Sequence, residues 1–335
     1  MRRPCRVALI GATGVVGGEI LQLMEEREFP VQTLSLFSSA HSEGQRLSFR
    51  NRSVSARMLT KDGLQNIDIA IFAADSEASQ DFAQHAVDAG AVVIDCSQAF
   101  RLDPQVPLCI PEINAQVIHQ HTGVIAVPHS LTTQVALVLA PLHAAVPLKR
   151  VTIAAYQAVS GMGQAAMRAF DQQLRDMLNF RPPELDVFPH QLAFNCIPQC
   201  GDFLDNGYTS EEMAIIDETR KLLALPDFPI TATAVWVPLM HSHAAAVTLE
   251  TEQPLSPAVA RDLLGAASGV MVEDDVSRLF YPSPVRVNGR DEAYVGRIRS
   301  DLSVPHGLHL WVVADNLRRG VALNVVQIAE ALAAA

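Results

Sequence analysis

The sequence predicts two domains of different texture, a doubly wound α/β unit joined to a unit of α+β type. Three observations predict them. Over roughly the first 130 residues, short apolar runs alternate with helical periodicity, the pattern of a parallel sheet wrapped by helices. A glycine-rich turn stands directly between the first run and the first helix. Beyond that point longer β-like runs replace the alternation. With 335 residues the chain is long for one core and comfortable for two.

The elements follow in order. Arg6 to Ile10 is a short, mostly apolar run stopped by Gly11, as expected of a buried parallel strand. Val15, Val16, Ile20, Leu21 and Met24 are then spaced to put one helical face on a core. Leu34 to Phe37, Ile67 to Phe72 and Ala91 to Asp95 read as further strands, the last two separated by a helical stretch from Ser79 to Asp88. In the second part, Val151 to Val159, Ala232 to Leu239 and Ala244 to Glu250 are β-like. Gly163 to Asn179, Ser210 to Leu225 and Pro257 to Met271 read as helices, with Ser256 as an N-cap and Pro257 at the first helical position. Val321, Leu323, Val325, Val326, Ile328 and Ala329 give the tail, Asn316 to Ala335, an apolar helical face.

Composition narrows the function. A net charge of -11 argues against nucleic acid or an anionic membrane as the main partner. The best candidate membrane run, Val135 to Val146, is broken by Pro141 and His143 and is short of the roughly 18–20 residues a span needs. Met1-Arg2-Arg3-Pro4 leads directly into a strand and lacks the apolar stretch of a signal peptide. Five cysteines are sparse and odd in number, which fits a reduced, cytoplasmic protein without a structural disulfide. Cys196 and Cys200 have no second ligand pair, and His241 and His243 lack a nearby carboxylate, so no metal is expected. Cys5 and Cys109 read as small core residues.

The turn Gly11-Ala12-Thr13-Gly14-Val15-Val16-Gly17 follows a strand and opens a helix, the context in which a glycine loop holds a dinucleotide phosphate. Glycine permits positive φ and close backbone approach, and the helix N-terminus supplies N–H groups and partial positive charge. A tight strand–helix turn without a ligand would carry the same pattern. After the second strand the chain offers Ser38, Ser39 and His41 and no acid to hold ribose hydroxyls. That leans towards NADP and leaves NAD open.

Several stretches together resemble the aspartate-semialdehyde dehydrogenase family: Gly11 to Gly14, Asp95 to Arg101, Tyr156 to Gly163, Phe203 to Tyr208 and Trp311 to Asn316. The resemblance covers essentially the whole chain. It implies a Rossmann-like NAD(P)-binding domain over 1–128 and 314–335 and an α+β catalytic and dimerisation domain over 129–313. It also implies an amino-acid biosynthetic enzyme that is a homodimer and acts on a small-molecule aldehyde through a thiohemiacetal, hydride transfer and phosphorolysis. By this resemblance Ser130 falls at the cysteine nucleophile, Gln157 at a glutamine that places substrate, and His243 at the histidine that activates the cysteine. Arg101 and Glu211 fall at substrate- or phosphate-binding positions. Gly11, Thr13, Gly14, Val15, Val16, Ser38, Ser39 and His41 fall along the cofactor.

The departures are equally specific. A serine hydroxyl is negligibly ionised near pH 7 and needs a base, whereas a free cysteine is already a few per cent thiolate. The family's substrate-carboxylate arginine falls on Trp236, its Glu-x-x-Lys lysine on Ala214, and its cofactor-phosphate arginine on His41. Cys96, near the expected cofactor, is the remaining thiol that stands close to this machinery. These changes resemble the Usg-type paralogues that lack the catalytic cysteine. The expectation is a family scaffold with weak, altered or absent semialdehyde dehydrogenase activity. The alternatives are an oxidoreductase on a different, less anionic aldehyde, and a non-catalytic partner of an active enzyme.

Overall fold

A computed structural model describes residues 3–334; Met1, Arg2 and Ala335 lie outside the described residues. The chain forms two compact units, Met1–His129 with Val321–Ala335, and Ser130–Gly320.

In the first unit the strands and helices alternate: β1 (Cys5–Ile10), α1 (Val15–Glu26), β2 (Val31–Ser38), the hairpin β3 (Arg46–Phe49) and β4 (Arg52–Ser55), β5 (Arg57–Met58), β6 (Ile69–Phe72), α2 (Ser76–Asp88), β7 (Val92–Asp95), the single turn α3 (Pro111–Asn114) and β8 (Val124–Ala126). Six of these strands make a sheet in the order β5-β2-β1-β6-β7-β8, parallel throughout. The two faces of β1 explain its apolar run. Val7 and Leu9 pack with α1 and the C-terminal helix (Leu323–Ala334), while Ala8 and Ile10 pack with Ala83 and Ala86 of α2. Each large apolar side chain buried this way contributes about 1.5–3 kcal/mol. Asp75 caps α2 by accepting from the Ala78 N–H at 2.9 Å. Arg27 grips Glu330 with two hydrogen bonds, 3.0 and 2.7 Å, which ties α1 to the C-terminal helix.

The second unit runs α4 (Ser130–Ala145), β9 (Leu148–Gln157), α5 (Gln164–Leu178), α6 (Ser210–Leu222), β10 (Ile230–Trp236), β11 (His243–Thr251), α7 (Pro257–Gly265), β12 (Val270–Val272), α8 (Pro284–Val287), β13 (Ala293–Ser300) and β14 (Gly307–Ala314). Its sheet has the order β10-β9-β11-β14-β13-β12 and mixes parallel with antiparallel pairs. α4 packs on both α6 and α7, and all three pack on these strands. α6 begins with a capping box between Thr209 and Glu212.

Two helical expectations change, and the run that the sequence rejects as a membrane span gains an identity. The run read as a broken membrane candidate is α4, an internal helix that carries Pro141 and is buried along most of its length. The helix from Pro257 ends at Gly265, and Gly269 at φ +73° turns the chain so that Val270–Val272 pairs with β13 as a strand. Ser256 does cap that helix, accepting from the Val259 N–H. The tail helix proper starts at Leu323, after a wider π-type turn over Arg318–Ala322.

Candidate active site

In the first unit, the glycine loop is shaped by close backbone packing. Gly11 has φ +80°, and a Cβ there would stand 2.2 Å from the Ala73 carbonyl oxygen. At Gly17 a Cβ would stand 2.4 Å from the Gly11 oxygen, so the first turn of α1 is pressed against the loop. Gly14 is the N-cap of α1 and brings no side chain to its N–H groups, and no acid stands in the first turn. The loop therefore offers uncapped donors to an anionic group, which fits a dinucleotide pyrophosphate. Thr13, Val15 and Val16 lie on this turn. At the end of β2, Ser38 is buried and donates to the Ser39 carbonyl at 3.2 Å, while Ser39 and His41 are exposed. Arg57 of β5 lies opposite Phe37, its guanidinium 6.0 Å from that ring. No motif in the sequence pointed to it.

Arg101 follows β7 and is buried. It donates through Nε to the Val127 carbonyl at 3.0 Å and through an Nη to the Cys96 carbonyl at 2.7 Å. Part of its donor set thus clasps the chain after β7 to the chain after β8. Asp95 beside it is fully buried and accepts from Ser79 (2.6 Å) and Ser97 (2.9 Å). Burial nevertheless raises its carboxyl above the usual range. Burial, with the Asp95 charge, pushes the thiol of the half-buried Cys96 up and disfavours its thiolate.

In the second unit, four strand ends meet in register. Trp236 of β10 pairs with Gln157 of β9, and His243 of β11 pairs with Ala314 of β14. Ala244 pairs with Tyr156, so His243 stands one step further on, opposite Gln157. Residues in register across a sheet share a face. Trp236, Gln157 and His243 are therefore a row, and all three are buried. Gly161 completes it: a Cβ there would meet His243 Nε2 at 3.3 Å and the Trp236 ring at 3.4 Å.

The row has a defined hydrogen-bond pattern. The Ala158 N–H donates to His243 Nδ1 at 2.9 Å. His243 Nε2 and both amide atoms of Gln157 are buried and have no partner among the described residues. Each such group costs about 1–3 kcal/mol, and clustered orphans mark a place where a ligand supplies the partners. Burial alone lowers the His243 pKa to about 3. Behind the row, Asn316 Oδ1 accepts from Ser160 Oγ and from the Ser242 N–H, both at 2.9 Å, and so fixes the backbone on which His243 sits. Ser242 itself has φ +71°.

Ser130 is the first residue of α4 and is buried. Gly320 lies against it, since a Cβ there would come 2.6 Å from Ser130 Cβ. Thr133, one turn on, donates to the Gly320 carbonyl at 2.9 Å. Gly320 lies just beyond β14, whose last residue pairs with His243, so the head of α4 and the row belong to the same end of the sheet. Gln134 is buried, and neither of its amide atoms has a partner among the described residues. An amide at the head of the apolar run Gln134 to Leu139 is the signal in the sequence that marks it. Glu211 lies in the first turn of α6, with Ala214 one turn on. Among the described residues no three His, Cys, Asp or Glu side chains gather as a metal site.

These are two modules: a dinucleotide-type glycine loop, and a buried row of polar groups beside a helix-head hydroxyl. Residues 6–121 match the NAD-binding domain of semialdehyde dehydrogenases, and residues 139–319 match the dimerisation domain of the same enzymes. The class is thus a semialdehyde dehydrogenase-type protein with an NAD(P)-binding Rossmann-like domain. An aspartate-semialdehyde dehydrogenase from Legionella pneumophila is 42% identical over 335 residues, 99% of this chain and 96% of its own. One from Prochlorococcus marinus is 40% identical over 98% of this chain and 96% of its own. The solved aspartate-semialdehyde dehydrogenase II of Vibrio cholerae, complexed with ASA, superposes with a TM-score of 0.95 at 40% identity, covering 98% of both chains. This chain belongs to the aspartate-semialdehyde dehydrogenase family.

Proposed function

We propose that this protein keeps the family's cofactor and carbonyl sites but has weak, altered or absent semialdehyde dehydrogenase activity, as a Usg-type paralogue would. One observation carries the reading: the residue at the head of α4, where the resemblance places the nucleophile, is Ser130. An alkoxide would have to be generated for attack, and an oxygen ester is a poorer acyl donor to phosphate than a thioester. Trp236 and Ala214 remove two cations that the resemblance assigns to substrate and phosphate. Each lost charge-assisted contact is worth about 1.5–3 kcal/mol.

The cofactor read here is NADP, with NAD as the alternative. The uncapped head of α1 suits a pyrophosphate, and a bound nicotinamide would exchange a hydride with a carbonyl carbon. Ser38, Ser39 and His41 suit a 2′-phosphate, and Arg57 stands on the adjoining strand. The absence of an acid after β2 supports the same choice. The protein is read as a homodimer joined through the second unit. One face of that sheet is exposed along β9, where Tyr156 packs its ring 5.6 Å from Trp311.

A second reading is favoured by Trp236, whose buried ring lies beside Gly161 in the row with His243. It suits a less anionic aldehyde. Stepwise restoration tests the first reading. Ser130→Cys, then added Trp236→Arg and Ala214→Lys, are assayed for phosphate-dependent oxidation of aspartate semialdehyde. The expected outcome is negligible turnover in the natural protein and stepwise gain in the variants. Turnover by the natural protein at rates typical of the family refutes it. An aldehyde panel followed at the nicotinamide absorbance tests the second reading.

A further inference from the structure

We infer that a groove along the open edge of β2, in the first unit, is a docking site for an extended acidic peptide, which adds to the sheet there as a further strand.

The groove follows from how the edge is built. β5 pairs with β2 at Phe37 and Ser38. Before Phe37 the outer edge of β2 has no strand beside it among the described residues. The Gly11 N–H donates to the Phe37 carbonyl, so Phe37 is one of the residues that bond towards β1. Backbone direction alternates along a strand. Thr33 and Ser35 therefore face β1 as well, and Leu34 turns its N–H and C=O outward. Neither of these two groups has a partner among the described residues. Unpaired strand groups are a template for another strand.

The hairpin β3–β4 makes a two-stranded sheet of its own and forms the facing wall. A cavity of 560 Å³ lies between this hairpin and residues 31–34, a size in the range of ligand clefts. Val31, Leu34, Phe49 and Val54 give it an apolar lining, and Arg50 and Arg52 stand beside them. The wall is anchored. Glu25 of α1 accepts from the Arg50 N–H, and an Arg50 Nη donates to the Phe29 carbonyl. The Arg52 guanidinium has no hydrogen bond or ion pair among the described residues.

Charge selects the occupant. Residues 46–55 carry three arginines and no acid, in a chain of net charge -11, and no acidic side chain lines the groove. A second copy presenting the same edge would set these arginines against one another. A small anion would pair with Arg52 and leave the Leu34 groups and the apolar lining unused. A peptide in which acidic and apolar residues alternate meets all three features. Its backbone pairs with Leu34, its apolar side chains cover the lining, and its carboxylates answer the arginines.

The experiment uses the full-length natural protein and a blocked, fluorescein-labelled hexapeptide of alternating Glu and Val, with binding read by anisotropy. We expect saturable binding that weakens as salt rises, and binding of the Lys–Val counterpart weaker by about tenfold or more. A strand presents every second N–H to its neighbour, so N-methylation of alternate amides tests the pairing. Methylating one alternate set should abolish binding, and methylating the other should leave it largely intact. Leu34→Pro removes the outward N–H at an edge position, where proline is tolerated, and should abolish binding while thermal unfolding stays cooperative. Arg52→Glu, on the exposed hairpin, should weaken binding about tenfold or more and keeps the test decisive if Leu34→Pro fails to fold. No binding of the acidic peptide, equal binding of the basic one, or equal effects of the two methylations overturns the inference. Binding of inorganic tripolyphosphate without binding of the peptide would assign a small-anion site, and a shift of Arg52→Glu towards monomer in sedimentation would assign a second copy. Either result also overturns it.

Discussion

At the scale of single residues, His243 ties the chemistry of the site to stability. Its folded pKa is about 3 against 6.5 for an ordinary histidine. Between those values the unfolded chain holds the proton and the folded one does not. Stability therefore rises with pH across the window and is lost as pH falls through it, with a slope of about 1.4 kcal/mol per pH unit. Denaturant unfolding from about pH 6.5 downwards should show this component in the natural protein. It should be missing in His243→Gln, whose amide can still accept from Ala158 and carries no titratable proton. Equal slopes in the two proteins would show that His243 is not held neutral by burial. The family resemblance suggested His243 and Gln157. The bond to Nδ1 was not legible, because Ala158 and His243 are 85 residues apart and meet only by strand register.

Elements explain why the glycine loop tolerates little change. β1, β6 and α1 converge on it, and the Gly11 position combines a left-handed φ with backbone 2.2 Å from where a Cβ would stand. Gly11→Ala should therefore destabilise by about 1–3 kcal/mol and weaken dinucleotide binding, since relief of the clash moves the loop away from the head of α1. Thermal denaturation with and without NADP measures both effects; binding at natural affinity would mean the loop does not hold the cofactor. This element was readable beforehand because strand, glycine spacing and helix lie within about twenty consecutive residues. α4 was not. Its apolar run has no polar face to reveal a helical period, for it is buried on nearly all sides, and Pro141 argues locally against the helix it sits in. β12 was lost for the opposite reason, since three residues after a helix gain their strand identity only from pairing with β13.

For the whole molecule, the exposed sheet face of the second unit is the feature with consequences. Arg150, Thr152, Ala154 and Tyr156 alternate along β9 with buried residues, and Tyr156 meets Trp311 across the face. A 340 Å³ cleft on this unit is lined by Tyr281, Pro282, Arg297 and Trp311, apart from the buried row. If the homodimer forms on this face, Tyr156→Glu should shift the protein towards monomer in sedimentation at micromolar concentration, by burying a charge against the partner. An unchanged dimer would place the interface elsewhere. No described helix is long and apolar enough to cross a membrane.

Local signals sufficed where the information is contiguous: the parallel-sheet alternation, the glycine loop, the cap at Ser256, and the serine at position 130. They sufficed too for the family, because its motifs are short unbroken stretches. The tertiary structure alone decided what depends on residues far apart in the chain. It put Arg101 on the carbonyls of Cys96 and Val127, pressed Gly320 against Ser130, and bound Asn316 to Ser160 and Ser242. It also raised the Cys96 thiol pKa and left the amide of Gln157 without a partner among the described residues. Burial and hydrogen-bond satisfaction are properties of the packed neighbourhood, and no stretch of sequence carries its own neighbourhood.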